Sequence, residues 1–162
     1  MLTEFNIIEK YFKRPVPDGV VGIGDDAAVL PGSVSERRLV ITTDTLVENV
    51  HFLGDTNPTN LGHKALAVNL SDLAAMGAQP HYVLLSITIP SSSNSWLEKF
   101  SEGFWELANR YSLSLIGGDT TQGPLSISVT AIGYVKEDLF LRRQGAKVGD
   151  DIWVSGTLGG AA

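Results

Sequence analysis

The chain has 162 residues, 43% apolar and 19% charged, enough hydrophobic material to bury one core and too much for a disordered tail. Its formal charge of −6 argues against broad electrostatic attraction to nucleic acid or an anionic membrane, so any bound phosphate needs local help. The absence of cysteine removes disulfide frameworks, zinc–thiolate sites, iron–sulfur clusters and cysteine nucleophiles together, leaving carboxylates and other oxygen ligands.

Thr3 caps a predicted first helix whose Phe5, Ile8 and Phe12 recur at helical spacing and which must stop before Pro15. This opening segment carries Glu4, Glu9 and Lys10 and so lacks the apolar core of a signal peptide, and no apolar run reaches membrane-spanning length. A cytoplasmic protein with neither nucleic acid nor membrane as partner is the simplest expectation. Short β-rich runs at 20–23, 28–30 and 39–43 read as strands. Asn60 is the predicted cap of a long Ala- and Leu-rich helix that runs to about Met76 and is closed by Gly77 and then Pro80. A strand at 82–89 follows, then a Ser-rich loop, then a helix over about 95–110 with Trp96, Phe100, Phe104 and Leu107 on one stripe facing the core. Strands at 113–116 and 125–135 complete the set, the second alternating Ile127, Val129 and Ala131 with Ser126, Ser128 and Thr130, so that one face is polar. The last apolar run, 152–154, reads as one more strand leading into a Gly-rich turn, with a further domain expected beyond it. Helices and strands mix without strict βαβ alternation, which predicts an α+β domain with a mixed, largely antiparallel sheet.

Gly22-Ile23-Gly24-Asp25-Asp26-Ala27 has the outline of a dinucleotide fingerprint, but the segment after it reads as a strand stopped by Pro31 rather than as a helix. Two acids in a phosphate corner would also repel the ligand. No Walker A pattern occurs, and Leu46 stands where an aspartyl-phosphate loop would need its second Asp. The formal glycosylation sequon at Asn69 falls inside a predicted buried helix and reads as chance.

What remains is a dispersed acidic set: Asp25 and Asp26, Asp44 after a strand, Asp72 within the Ala-rich helix, and Asp119 in a Gly-Gly-Asp corner. Taken singly, each fits a cap or a solvated surface. Asp72 is the exception, because its neighbours suit burial and its helix propensity is poor, so it should face a polar cluster or a cation. Carboxylates with Thr hydroxyls nearby are what hard cations such as magnesium prefer, and magnesium commonly bridges them to nucleotide phosphates. Thr42, Thr43 and Thr45 could add hydroxyl ligands, or serve simply as strand formers. A lone His51 more often packs or caps than reacts. Lys64 and Arg143 are candidate phosphate partners, with ordinary solvated charge the plainer reading of Lys64.

The segments GIGDDAAVL, ITTDTLVENVHF, KALAVNLSDLAAMGAQP, LIGGDTTQGPLSISVTAIG and RRQGAKVGDDIWVSGTLG resemble, in sequence and order, the thiamine-monophosphate kinases. These sit within a superfamily that also holds aminoimidazole ribonucleotide synthetase, selenophosphate synthetase and a hydrogenase maturation protein. The resemblance spans nearly everything from Gly22 onward. It implies ATP-dependent phosphorylation of thiamine monophosphate to thiamine diphosphate, with several magnesium ions, direct in-line transfer and no phosphoenzyme. By motif position it implies Asp26, Thr42, Thr43, Asp44, Asp72 and Asp119 as magnesium ligands. Gly118, Asp119 and Arg143 would contact ATP and His51 the thiamine monophosphate, and no residue is assigned as general base. It further implies helices packed on one face of the sheet and a homodimer formed through that sheet. Residues 1–148 would be the N-terminal ATP- and magnesium-binding, dimerising domain, and 149–162 the start of a C-terminal domain whose further ligands have no counterparts here. On that reading the chain alone turns over little or no substrate. The rivals are a sister enzyme acting on a purine-pathway intermediate and a non-catalytic dimerisation module.

Overall fold

A computed structural model describes residues 18–19, 21, 24–25, 27–30, 36–90 and 94–158. The predicted first helix, most of the predicted 20–23 strand and Asp26 lie outside the described residues; Val21 makes an isolated bridge to Val29. In chain order the elements are β1 (Ala28–Leu30), β2 (Arg37–Val47), α1 (Pro58–Ala75), β3 (Gln79–Ile89), α2 (Asn94–Arg110), β4 (Ser114–Gln122) and β5 (Ser126–Lys136). The strands form one sheet in the order β1-β2-β5-β3-β4, antiparallel except where β3 meets β4. That parallel pair is joined through α2, as a parallel connection requires. The expected mixed, largely antiparallel α+β architecture is therefore the one observed.

Strand alternation decides what each face of the sheet carries. On β2, Val40, Thr42 and Leu46 are buried toward α1, and Thr43 and Thr45 are exposed on the opposite, open face. On β5, Ile127, Val129 and Ala131 are fully buried, with Ser126, Ser128 and Thr130 on the open side. Helix α1 packs on β2 and β5, and α2 lies against α1. The predicted α2 stripe is present, with Phe100, Phe104 and Leu107 buried and Trp96 stacked on Phe100 at 5.2 Å.

Several boundaries differ from expectation, among them the start of β3 at Gln79 instead of 82, and those nearest the acids differ for physical reasons. Helix α1 is capped by Asn57 rather than Asn60, because the Asn57 side chain accepts from the main-chain N–H groups of Thr59 and Asn60 and Pro58 opens the first turn. Its end is as predicted: Gly77, at φ +70°, and Ala78 donate back to Ala74 and Leu73, the pattern of a left-handed helix stop. Strands β2 and β4 run further than their apolar runs suggest, so Asp44 and Asp119 sit inside strands instead of after them. The 152–154 run forms no strand, having no neighbour to ladder with among the described residues, and Ile152 and Trp153 are exposed.

The α1–α2 contact rests on two glycines. A methyl group on Gly62 would run into the Phe100 carbonyl oxygen, and one on Gly103 into that of Thr59, so each helix reaches the other's backbone. Gly103→Ala should gain about 1 kcal/mol of helix propensity and lose about 3 kcal/mol to overpacking that no side-chain rotation relieves. The expected outcome is a net loss of about 2 kcal/mol in urea unfolding, and an unchanged or raised midpoint would contradict this account of the interface.

Candidate functional site

The least expected acid of the sequence is also the best placed. Asp72, at the start of the last turn of α1, is half-buried at the seam between helix and sheet. Its Oδ2 accepts a hydrogen bond from Thr42 Oγ1 at 2.8 Å, and Thr42 is buried on the helix-facing side of β2. Asp44 shares that side of β2, two residues on, which places its Cα about 7 Å from that of Thr42. Thr42 and Asp72 are thus paired, the carboxylate oriented by the hydroxyl, and Asp44 lies on the same side of the strand as Thr42. Oxygen donors of this kind fit a hard divalent cation. Among the described residues no three His, Asp or Glu side chains gather into a complete cage.

Two of the remaining expected ligands, Thr43 and Asp119, lie elsewhere. Thr43 points to the open face, where its hydroxyl donates to the Val129 carbonyl at 3.1 Å and accepts from Thr130 Oγ1 at 3.0 Å. Asp119 is on the open face too, in a row that runs from Thr45 to Ser128, Ser86 and Asp119 across four strands. Three strand spacings, about 14 Å, separate it from β2. Gly118 precedes it at φ +150°, and a Cβ there would strike the Leu85 carbonyl, so this edge strand needs glycine to lie close on β3. Within one chain the sheet does not bring Asp119 to Asp44 and Asp72.

Asp25 has a separate task. Its side chain is only 5% exposed, its Oδ1 accepts the Arg143 main-chain N–H at 2.9 Å, and its Oδ2 faces Arg142 Nε at 3.3 Å. Both carboxylate oxygens are engaged in pinning the segment that carries Arg143. Spacing could not have revealed this pair, since 117 residues separate Asp25 from Arg142. His51 sits at an exposed corner after β2, its Nδ1 accepting from Val47 N–H at 3.0 Å and its carbonyl accepting from Lys64 Nζ at 2.6 Å.

Residues 24–135 match the family model described as AIR synthase related protein, N-terminal domain. The chain belongs to this family. It is 52% identical over 163 residues to a thiamine-monophosphate kinase of Buchnera aphidicola subsp. Acyrthosiphon pisum, covering 99% of this chain and 50% of the relative. The crystal structure of thiamine-monophosphate kinase from Stenotrophomonas maltophilia K279a superposes with a TM-score of 0.75 at 54% identity, over 88% of this chain and 45% of that one. AaThiL complexed with AMPPCP and TMP superposes with a TM-score of 0.74 at 35% identity, over 79% and 41% of the two chains. This member of the AIR synthase related family thus spans about half the length of the curated relatives it matches.

Two further readings of the sequence meet the structure of this family member directly. The sequon is no acceptor, because Asn69 is fully buried and its Nδ2 donates to the Ala65 carbonyl. No helix among the described residues is long and apolar enough to cross a membrane. Removing the carboxylate that pins the Arg143 segment tests the structural role of Asp25. Asp25→Ala should accelerate amide exchange at Arg143 about tenfold and cost about 1–3 kcal/mol of stability. Unchanged protection at Arg143 would show that the clamp holds nothing.

Proposed function

We propose that this chain is the nucleotide-handling part of a thiamine-monophosphate kinase, transferring the γ-phosphate of ATP to thiamine monophosphate to give thiamine diphosphate in the cytoplasm. The observation that carries the proposal is the half-buried Asp72, hydrogen-bonded by Thr42, whose side of β2 also carries Asp44, in a chain so similar to proteins of that name. The complex of a similar chain with AMPPCP and TMP supports ATP and thiamine monophosphate as the two substrates. By the same similarity Asp26, Asp44, Asp72 and Asp119, with Thr42 and Thr43, are the residues that would hold magnesium. When bound, that cation supplies positive charge where phosphate oxygens come together.

The chain's own residues set positions. Thr42 orients the Asp72 carboxylate, Asp25 fixes the main chain at Arg143, and Arg143 with Gly118 and Asp119 is assigned to ATP. His51 is assigned to the anionic substrate. The attacking phosphate oxygen is already an anion, so in-line transfer needs no general base, and the barrier is lowered by alignment and charge neutralisation. We also propose residues 1–148 as the N-terminal domain and 149–162 as the start of a second one, supported by the exposed apolar surface of Val148, Ile152, Trp153 and Leu158.

Calorimetric titration with AMPPCP tests the nucleotide site. Binding should require magnesium and weaken at least about tenfold in Asp72→Asn, equivalent to about 1.4 kcal/mol. Binding of equal strength in the variant, or without magnesium, would remove Asp72 from the site. ATP use with formylglycinamidine ribonucleotide in place of thiamine monophosphate would move the reading to the sister enzyme.

The partner is proposed to be a second copy docked on the open face, where Ile41, Tyr82, Leu84 and Ile132 remain only partly covered. Sedimentation should give a dimer that Ile132→Lys converts to monomer. A monomeric parent chain, or a variant that stays dimeric, would exclude this face.

A further inference from the structure

We infer that Lys64 is a positioning residue for His51, holding the corner after β2 so that the imidazole offers its Nε2–H to an anionic oxygen of the ligand. This rests on the assignment of His51 to the phosphate-bearing substrate and adds the residue that sets its geometry. The Lys64 ammonium is committed to the His51 carbonyl at 2.6 Å, a charge-assisted bond from helix α1 to the corner.

The corner itself is closed by a reciprocal pair. His51 N–H donates to the Val47 carbonyl at 2.9 Å, and Val47 N–H donates back to His51 Nδ1 at 3.0 Å. A nitrogen that accepts from a main-chain N–H carries no proton, so the neutral imidazole has its proton on Nε2, on the far side of the ring from Val47. Around it, Asn49 takes φ +61° and its N–H donates to the Phe52 carbonyl at 2.7 Å, Glu48 N–H donates to the Leu125 carbonyl at 3.2 Å, and Phe52 is buried. These bonds fix the corner to itself and to the chain before β5. Lys64 supplies a side-chain tie to α1, and it does so from the broad face of α1 that also carries Asp72, eight residues and about 12 Å further along the axis. One rigid helix therefore sets the place of the donor to one anion and of the acid proposed to hold cations for the other.

The test uses 15N-labelled chain and the variants Lys64→Met and Lys64→Arg. In the parent and in Lys64→Arg, a scalar coupling across the Val47 N–H to His51 Nδ1 bond should be present and the Val47 amide protected. In Lys64→Met the coupling should vanish and Val47 exchange rise about tenfold. Thiamine monophosphate should then bind Lys64→Met several-fold more weakly, with magnesium–AMPPCP binding unchanged. An intact coupling in Lys64→Met, or weakened AMPPCP binding with the corner undisturbed, would overturn the inference and make Lys64 a phosphate ligand or a solvated charge. The coupling and exchange measurements need no substrate. If His51→Ala binds thiamine monophosphate as tightly as the parent, the assignment of His51 fails, while the spectra still decide whether Lys64 positions it.

Discussion

A carboxylate set among alanines and leucines near the end of a helix must be given a partner or taken out of the core, and the Thr42 hydroxyl is the partner this fold provides. Much of the architecture serves to bring those two groups together. Thr42 is buried because β2 alternates, and α1 lies over β2 and β5 with small residues such as Ala131 and Gly133 beneath it. A Cβ on Gly133 would meet the Gln79 carbonyl and Leu73, so bulk is excluded at that crossing. The second helix then locks α1 from outside through Gly62 and Gly103. Helix packing that close leaves α1 little freedom to rotate, and a fixed α1 means a fixed Asp72.

The same alternation that makes the core divides the acids. Even-numbered positions of β2 turn toward the helices and odd-numbered ones toward the open face, so Asp44 and Thr43 separate although they are adjacent in sequence. Ladder pairing carries the rule across the sheet and puts Asp119 in the hydroxyl row with Thr45, Ser128 and Ser86. Thr45 is bonded to Ser128 within that row at 2.7 Å, and in the next row along the strands Thr130 is bonded to Thr43 at 3.0 Å. A polar stripe on a sheet face that also carries partly covered Ile41 and Ile132 is amphipathic in a way a purely solvated face is not.

How much of this could be read from the residues depends on the range of the interaction. The α1 stop at Gly77 and the Ser/Ile alternation of β5 were legible because both are local: a left-handed residue ends a helix, and period two marks a half-buried strand. The cap at Asn57 was missed for Asn60, two residues of the same chemistry, and the nearby Pro58 was the signal that could have decided between them. The strand expected to stop at 116 runs on through Gly117 and Gly118, because Gly118 is needed where the Leu85 carbonyl comes close. Asp72 was legible as an anomaly, a charge where burial was expected. Its partner was not, and neither were the pairing of Asp25 with Arg142 nor the tie from Lys64 to His51, since nothing in a spacing of 30, 117 or 13 residues encodes a contact made by folding.

Transfer between two phosphates asks little of a protein in covalent chemistry and a great deal in placement, because like charges must be held in line at short range. Side chains on flexible stems do that poorly unless something else fixes them. Here three of the groups assigned to ligands are each held by a neighbouring residue: Asp72 by Thr42, the Arg143 main chain by Asp25, and the His51 corner by Lys64. Two of those three arrangements hang on α1, whose own position is set by glycines that admit no alternative packing. The helix that looks in the sequence like plain Ala- and Leu-rich core is thus the element against which the assigned groups are measured.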